Sequence, residues 1–197
     1  MRKSAKILEM RRILRIFAAT MNNPFRILKY VLKMRRPSRV SDMEAVFDGF
    51  WLRPGYHALT FFGFIVCRTE ETVSLINQAV TGRTQALGSD STHQPADKLA
   101  DSFAVMKNHE MIHLRQAQSC HNSWLLFYIR YMWYYLRALP QNRQMKNAAY
   151  LLNPFEMEAY AHQDDPDYLN DKANGTNGWR DYARQSPSER LASLKQS

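Results

Sequence analysis

The sequence contains little cysteine, no long uninterrupted apolar run and no internal repeat. Only Cys67 and Cys120 occur in 197 residues. They are too few and too far apart for a disulfide framework or a cysteine-based metal site, so we expect both to be reduced. No apolar segment reaches the roughly 20 residues of a membrane-spanning helix. The N-terminus also lacks the apolar core and small-residue cleavage site of a signal peptide, which predicts a cytoplasmic location.

Acidic residues are almost absent from the first forty positions. Residues 1–40 contain twelve Lys or Arg and one acid, Glu9, giving +11, so the rest of the chain carries −2 of the total of +9. The high sequence pI of about 9.7 therefore comes from an N-terminal arm. Because the remainder is slightly acidic and has no recognition motif, we expect no nucleic-acid partner.

The arm, residues 1–42, has apolar residues at helical spacing among its basic ones, in two runs separated by Asn22-Asn23-Pro24. Basic amphipathic helices favour anionic membrane surfaces, which predicts peripheral contact of residues 1–40 with the inner membrane face. Two alternatives are a flexible basic extension and sequence upstream of the true start, because Met21, Met34 and Met43 all precede the predicted domain.

The rest of the pattern predicts a predominantly α, α+β domain over residues 43–185, followed by a polar tail over 186–197. Residues 56–68 are rich in β-branched and aromatic side chains, which indicates a strand or hairpin. A helix is expected from about 96–102 to Ser119. A second helix, capped by Ser123 and ended by Pro140, is apolar almost all round, as in a core helix or a helix in the membrane interface.

The motif with the clearest chemistry is His109-Glu110-Met111-Ile112-His113. Two histidines four residues apart lie on one face of a helix, so both rings can reach one metal ion. Glu110 points close to the same face, where it can act as a general base toward a water on the metal. Other divalent metals fit such ligands, but the pattern is typical of catalytic Zn²⁺.

A third ligand is expected from Asn153-Pro154-Phe155-Glu156-Met157-Glu158. Asn153 and Pro154 have the form of a helix start, in which Glu156 folds back on the cap. Glu158 lies about 200° further round the helix, so the two carboxylates cannot face one ion. With Glu156 assigned to capping, the sequence favours Glu158 as the ligand.

A second electrophile is expected to stabilise the oxyanion that forms during hydrolysis. The candidates are the side chains near the acidic motif and after the first helix, with Tyr160 and His162 preferred: Tyr160, His162, Tyr182 and His121. The strand near 59–67 could offer an edge along which an extended peptide or protein substrate pairs.

The pair His109-Glu110-x-x-His113 and Glu158-Ala159 resembles the gluzincin-type zincin metallopeptidases. HEMIHLRQ followed by NPFEMEAYA is similar to small bacterial proteins with a minimal site and to the peptidase domain of antirepressor-sensing membrane metallopeptidases. The resemblance covers about residues 55–165 and implies a minimal zincin-like fold. It also implies zinc on His109, His113 and Glu158, with Glu110 as general base. No Gly-x-x-His follows His113, which excludes a metzincin, and the transmembrane helices of the sensor peptidases are missing.

The sequence thus predicts a zinc metallopeptidase. One alternative is a non-catalytic zinc-binding protein on a zincin scaffold, which binds a partner or a membrane surface. Glu110 argues against it, because a structural zinc needs no general base. A second alternative is a membrane-surface protein in which the arm and the aromatic helix carry the function.

Overall fold

The computed structural model describes residues 24–48, 52, 57–79 and 95–195, without the side chains of 24–27 and 95–100. Eight α-helices and three short strands occur in these ranges: α1 Pro24–Lys33, β1 Glu44–Phe47, β2 Ala58–Phe61, β3 Phe64–Cys67, α2 Glu70–Gln78, α3 Pro95–Ser119, α4 Trp124–Ala138, α5 Ala148–Leu151, α6 Pro154–His162, α7 Trp179–Arg184 and α8 Pro187–Leu194. The predicted α+β, mainly helical class is confirmed. The first of the two predicted helical runs of the arm, before Asn22, lies outside the described residues.

The three strands form one sheet in the order β1-β3-β2. β2 and β3 are the predicted hairpin, joined by Phe62 and Gly63, which both have positive φ, as a tight two-residue turn requires. β1 pairs with β3 in parallel. The sequence analysis did not predict β1, since four residues are too few to show a strand period.

The second half of the arm packs on this sheet. The Tyr30 ring is 1% exposed and meets Phe61 and Phe64 edge-on, while its hydroxyl donates to Asp48. Val40 and Met43 are also buried in the core. Residues 24–42 are therefore continuous with the domain that the sequence analysis started at residue 43.

Two helices form the centre of the molecule. α3 carries the His-Glu-x-x-His motif and buries Leu114 and Ala117. α4 begins at Trp124, where the Ser123 hydroxyl accepts from the Leu126 amide as predicted. Buried Phe127 of α4 contacts the ring of Phe155, which joins α4 to α6. The Phe127 ring also lies 6.0 Å from the His113 ring between centroids, so one face of α4 lies in the core beside the motif helix, as expected of a core helix.

α6 and the C-terminal elements close the core around α3. Asn153 caps α6 through its side chain, which accepts from the Phe155 amide. The predicted polar tail differs from the structure, because Ser186 and Glu189 form a capping box and Pro187–Leu194 is helical. Leu191 of α8 is buried with Ala148 and Leu152. Within the described ranges, no helix has both the length and the apolar content to cross a membrane.

Candidate metal centre

Three buried side chains converge between α3 and α6. The Nε2 atom of His109 lies 3.4 Å from Oε2 of Glu156, and Nε2 of His113 lies 3.5 Å from Oε1 of the same carboxylate. One ligand atom from each residue falls within 4.8 Å of the others. Since the histidines are four residues apart on α3 and Glu156 faces them from α6, the three groups form one pocket of donors.

These distances fit a tetrahedral metal ion. Zinc bonds to His nitrogen and carboxylate oxygen are about 2.0–2.2 Å long, so two ligand atoms in a tetrahedron stand about 3.3 Å apart. The observed separations of 3.4 and 3.5 Å, each to a different oxygen of Glu156, are close to that length, and one ligand atom from each residue lies within 4.8 Å of the others. Oε2 of Glu156 is buried and has no hydrogen-bond partner. A cation between the three residues would supply the missing partner of that oxygen.

The outer nitrogen of each histidine is held by a glutamine. Nδ1 of His109 lies 3.0 Å from Oε1 of Gln163, and Nδ1 of His113 lies 2.7 Å from Oε1 of Gln116. An amide oxygen only accepts, so each Nδ1 must donate. With Nδ1 donating to the glutamine, Nε2 of each ring faces Glu156 and is the nitrogen that would bind a metal once it is deprotonated.

The orientation of Gln116 is fixed by its other contacts. Its Nε2 donates to the Phe155 carbonyl at 2.9 Å and to Oε2 of Glu158 at 2.7 Å, and both of these are acceptors. Its Oε1 must therefore face His113. A series of hydrogen bonds thus runs from Glu158 through Gln116 to His113. It sets the tautomer of His113, a proposed metal ligand, from the far side of α6.

The structure does not bring Glu158 to the two histidines, so the choice between the glutamates is reversed. Oε1 of Glu158 accepts from the hydroxyls of Tyr168 and Thr176, and Oε2 accepts from Gln116. Glu156 does not cap α6, because the side chain of Asn153 is the N-cap of this helix. As expected, the two carboxylates point to different sides of α6, so one ion cannot contact both. The carboxylate that faces the histidines is that of Glu156.

Glu156 and His109 stabilise each other's charged forms. Burial alone would raise the pKa of Glu156, but His113, His109 and the Tyr131 hydroxyl stabilise the carboxylate and lower the pKa to about 2. Burial alone would lower the pKa of His109, but the Glu156 carboxylate, with smaller contributions from Glu110 and Gln163, raises it to about 9. Without a metal, the Glu156 carboxylate is therefore ionised and pairs with a protonated His109, and a cation bound between them would replace that proton on Nε2.

Glu110, the predicted general base, lies beside the pocket. Its Oε2 accepts from the hydroxyl of Thr60, which is on edge strand β2. The side chain is 7% exposed, and its charge contributes to the raised pKa of His109. The carboxylate is thus held at the junction of the motif helix and the sheet edge.

Only one of the four proposed oxyanion donors stands at the site. Tyr160 lies one turn after Glu156, and its ring meets that of His109 edge-on at 4.8 Å between centroids. His162 instead stacks on Tyr168 at 3.8 Å, on the Glu158 side of α6. Burial, and to a smaller extent the charge of nearby Glu158, raise the pKa of Tyr182, which places this residue on the Glu158 side of α6. His121 lies beyond the end of α3 and is exposed.

Sequence reasoning missed several residues of the site. Tyr131 of α4 donates to Oε1 of Glu156 at 2.6 Å, and Tyr150 and Tyr160 have their hydroxyls 3.2 Å apart. No local motif marks Tyr131 within the aromatic helix. Gln116 could have been found, because it follows His113 by three residues and so shares its helix face.

Comparison of the chain with protein-family models, with curated proteins and with solved structures gives no significant match. The resemblance to gluzincins therefore depends on the two motifs alone.

Proposed function

We propose that this protein is a zinc-dependent hydrolase of peptide bonds, with His109, His113 and Glu156 as the protein ligands. The observation that carries the proposal is the convergence of two Nε2 atoms on one buried carboxylate, at 3.4 and 3.5 Å, with Oε2 of Glu156 lacking a hydrogen-bond partner. Three protein ligands of this kind leave a fourth position for water or substrate, which is the arrangement of catalytic zinc and not of structural zinc.

Zinc bound there would act as a Lewis acid toward a substrate carbonyl and would acidify a water molecule. The chain's own groups divide the remaining work. Glu110 takes the proton of the attacking water and passes it to the leaving amine, and the Thr60 hydroxyl keeps its carboxylate in place. The Tyr160 hydroxyl is the donor best placed to stabilise a developing oxyanion.

Among the described strands, β2 has an unpaired edge, which favours an extended peptide as the substrate. Phe61 and Phe64 flank a two-residue turn, so the peptide groups of Thr60 and Ala58 point away from β3, toward the open side of β2. Tyr128 donates to the Thr60 carbonyl at 3.3 Å and accepts from the Phe62 amide, which caps that edge near the turn. An extended peptide pairing near Ala58 would lie next to Glu110, which Thr60 contacts.

The test is hydrolysis of a mixed library of peptides by the zinc-loaded full-length protein, read by mass spectrometry. Glu110→Gln keeps the shape of the side chain and removes the base, so we expect cleavage to fall about 10²–10⁴-fold with zinc content unchanged. Glu71→Gln, at an exposed position of α2, is the matched control and should cleave like the parent.

A non-catalytic zinc protein is the second candidate, and the burial of the site favours it. His109 is 8% and Glu156 3% exposed, which leaves a narrow approach for a substrate. This hypothesis predicts bound zinc without cleavage of any peptide, and identical behaviour of the parent and Glu110→Gln.

A further inference from the structure

The outward side of α4 is apolar, although it faces solvent. Five residues make up this surface, here called the α4 outer face: Leu125, Leu126, Ile129, Trp133 and Leu136. Leu125 is 64%, Ile129 55% and Trp133 59% exposed. At 100° per residue all five fall within an arc of about 100°. A surface helix normally presents polar side chains there, so the five together mark an interaction surface.

A second exposed apolar stripe lies on α1. Leu28 and Leu32 are one turn apart on α1, and Leu32 is 76% exposed. The indole of Trp124, at the start of α4, donates to the Arg35 carbonyl just after α1. The segment just after α1 is therefore adjacent to the start of α4, next to Leu125 of the α4 outer face.

Both segments lack acidic residues. No Asp or Glu occurs between Met10 and Ser41 or between Met111 and Phe155. Exposed cations occur instead in the two helices and in the segments that follow them: Lys29, Lys33, Arg35, Arg36, Arg137, Arg143 and Lys146. A second copy of the chain would bring these like charges together across the contact, which opposes dimerisation through this face.

We propose that the α4 outer face, together with the exposed side of α1, binds the surface of an anionic phospholipid membrane. Apolar side chains enter the region below the headgroups, and the surrounding Lys and Arg meet lipid phosphates, as in interfacial helices. Trp133, 59% exposed on this face, suits this depth, where tryptophan is enriched. The contact needs no spanning helix and is independent of the metal site.

The two native cysteines allow a direct test with the full-length protein. Cys67 and Cys120 are both fully buried, so a single introduced cysteine can be labelled selectively with an environment-sensitive fluorophore. The label is placed at Ile129→Cys on the α4 outer face and, as a matched control, at Ser74→Cys on exposed α2. Each protein is mixed with phosphatidylcholine vesicles that either contain or lack phosphatidylglycerol.

We expect a blue shift of the label at position 129 with phosphatidylglycerol vesicles, little shift with phosphatidylcholine alone, and none at position 74. In sedimentation with the same vesicles, unlabelled Ile129→Ser/Trp133→Ser should bind at least about tenfold more weakly than the parent. Phe47→Ser, which removes an exposed apolar side chain from β1, should bind like the parent.

Three results would overturn the proposal. Sedimentation of the protein without a shift at position 129 would assign the contact to another part of the chain. A shift that grows with protein concentration in the absence of lipid would assign the face to a second copy. Equal vesicle binding by Ile129→Ser/Trp133→Ser and the parent would show that the face contributes nothing.

Discussion

At the scale of single residues, two glutamines decide which nitrogen of each histidine is offered to a metal. The amide oxygens of Gln163 and Gln116 accept hydrogen bonds from the Nδ1–H groups of His109 and His113. Gln116 is oriented in turn by Glu158. A carboxylate that does not face the metal pocket therefore still acts on it, and its effect can be separated from that of Glu156.

We expect Gln116→Ala and Glu158→Ala to weaken zinc binding about 10–100-fold, because each leaves the His113 ring without its fixed tautomer. Zinc affinity would be measured by competition with a chelator of known affinity. Glu158→Gln should recover most of the loss, since an amide oxygen can still accept from Gln116. Equal affinity in Glu158→Ala and the parent, with the fold intact by circular dichroism, would refute the positioning role.

At the scale of elements, α6 presents its two glutamates on opposite sides. Glu156 and Tyr160, four residues apart, face the histidines of α3, while Glu158 faces Tyr168, Thr176 and α7. Gly178, just before α7, approaches Glu158 so closely that an added Cβ would lie 2.6 Å from Oε1. The close packing of α7 on α6 requires glycine at that position.

Gly178→Ala is expected to destabilise the protein by about 1–3 kcal/mol, because a fully buried carboxylate held by three donors has no room to yield. The free energy of unfolding from urea titration gives the value. Ala183→Gly, on the partly buried side of α7, is a control for helix content and should cost no more than about 1 kcal/mol. A Gly178→Ala protein as stable as the parent would show that α7 can move away from α6.

The elements with strong local signals were predictable from sequence. The His-Glu-x-x-His spacing, the capping Ser123 and Asn153, and the residues of the hairpin are readable because each depends on neighbours in the chain. That Glu156 and not Glu158 faces the histidines could not be predicted from the sequence. Asn153 caps α6 without Glu156, and tertiary contacts decide which carboxylate faces α3. Thr60 and Tyr131 also reach the site from separate elements, without a shared local pattern.

At the scale of the whole molecule, a bound metal would link α3 to α6 and so stabilise the fold. A ligand present at a hundred times its dissociation constant stabilises the native state by about 2.7 kcal/mol, which for a chain of this size is on the order of 5–10 °C in Tm. We expect a chelator to lower Tm by that order and added zinc to restore it. Glu156→Gln should melt at the same temperature with and without zinc, and a zinc-dependent Tm in that variant would place the metal elsewhere.

The most direct measurement of the central claim is the zinc content of the purified full-length protein beside Glu156→Gln and Glu158→Gln, by mass spectrometry. The two variants remove one carboxylate each from the same helix and keep the shape of the side chain. We expect near-stoichiometric zinc in the parent and in Glu158→Gln, and little in Glu156→Gln. Zinc that persists in Glu156→Gln but is lost in Glu158→Gln, or a parent that takes up no zinc, would contradict the metal centre described here.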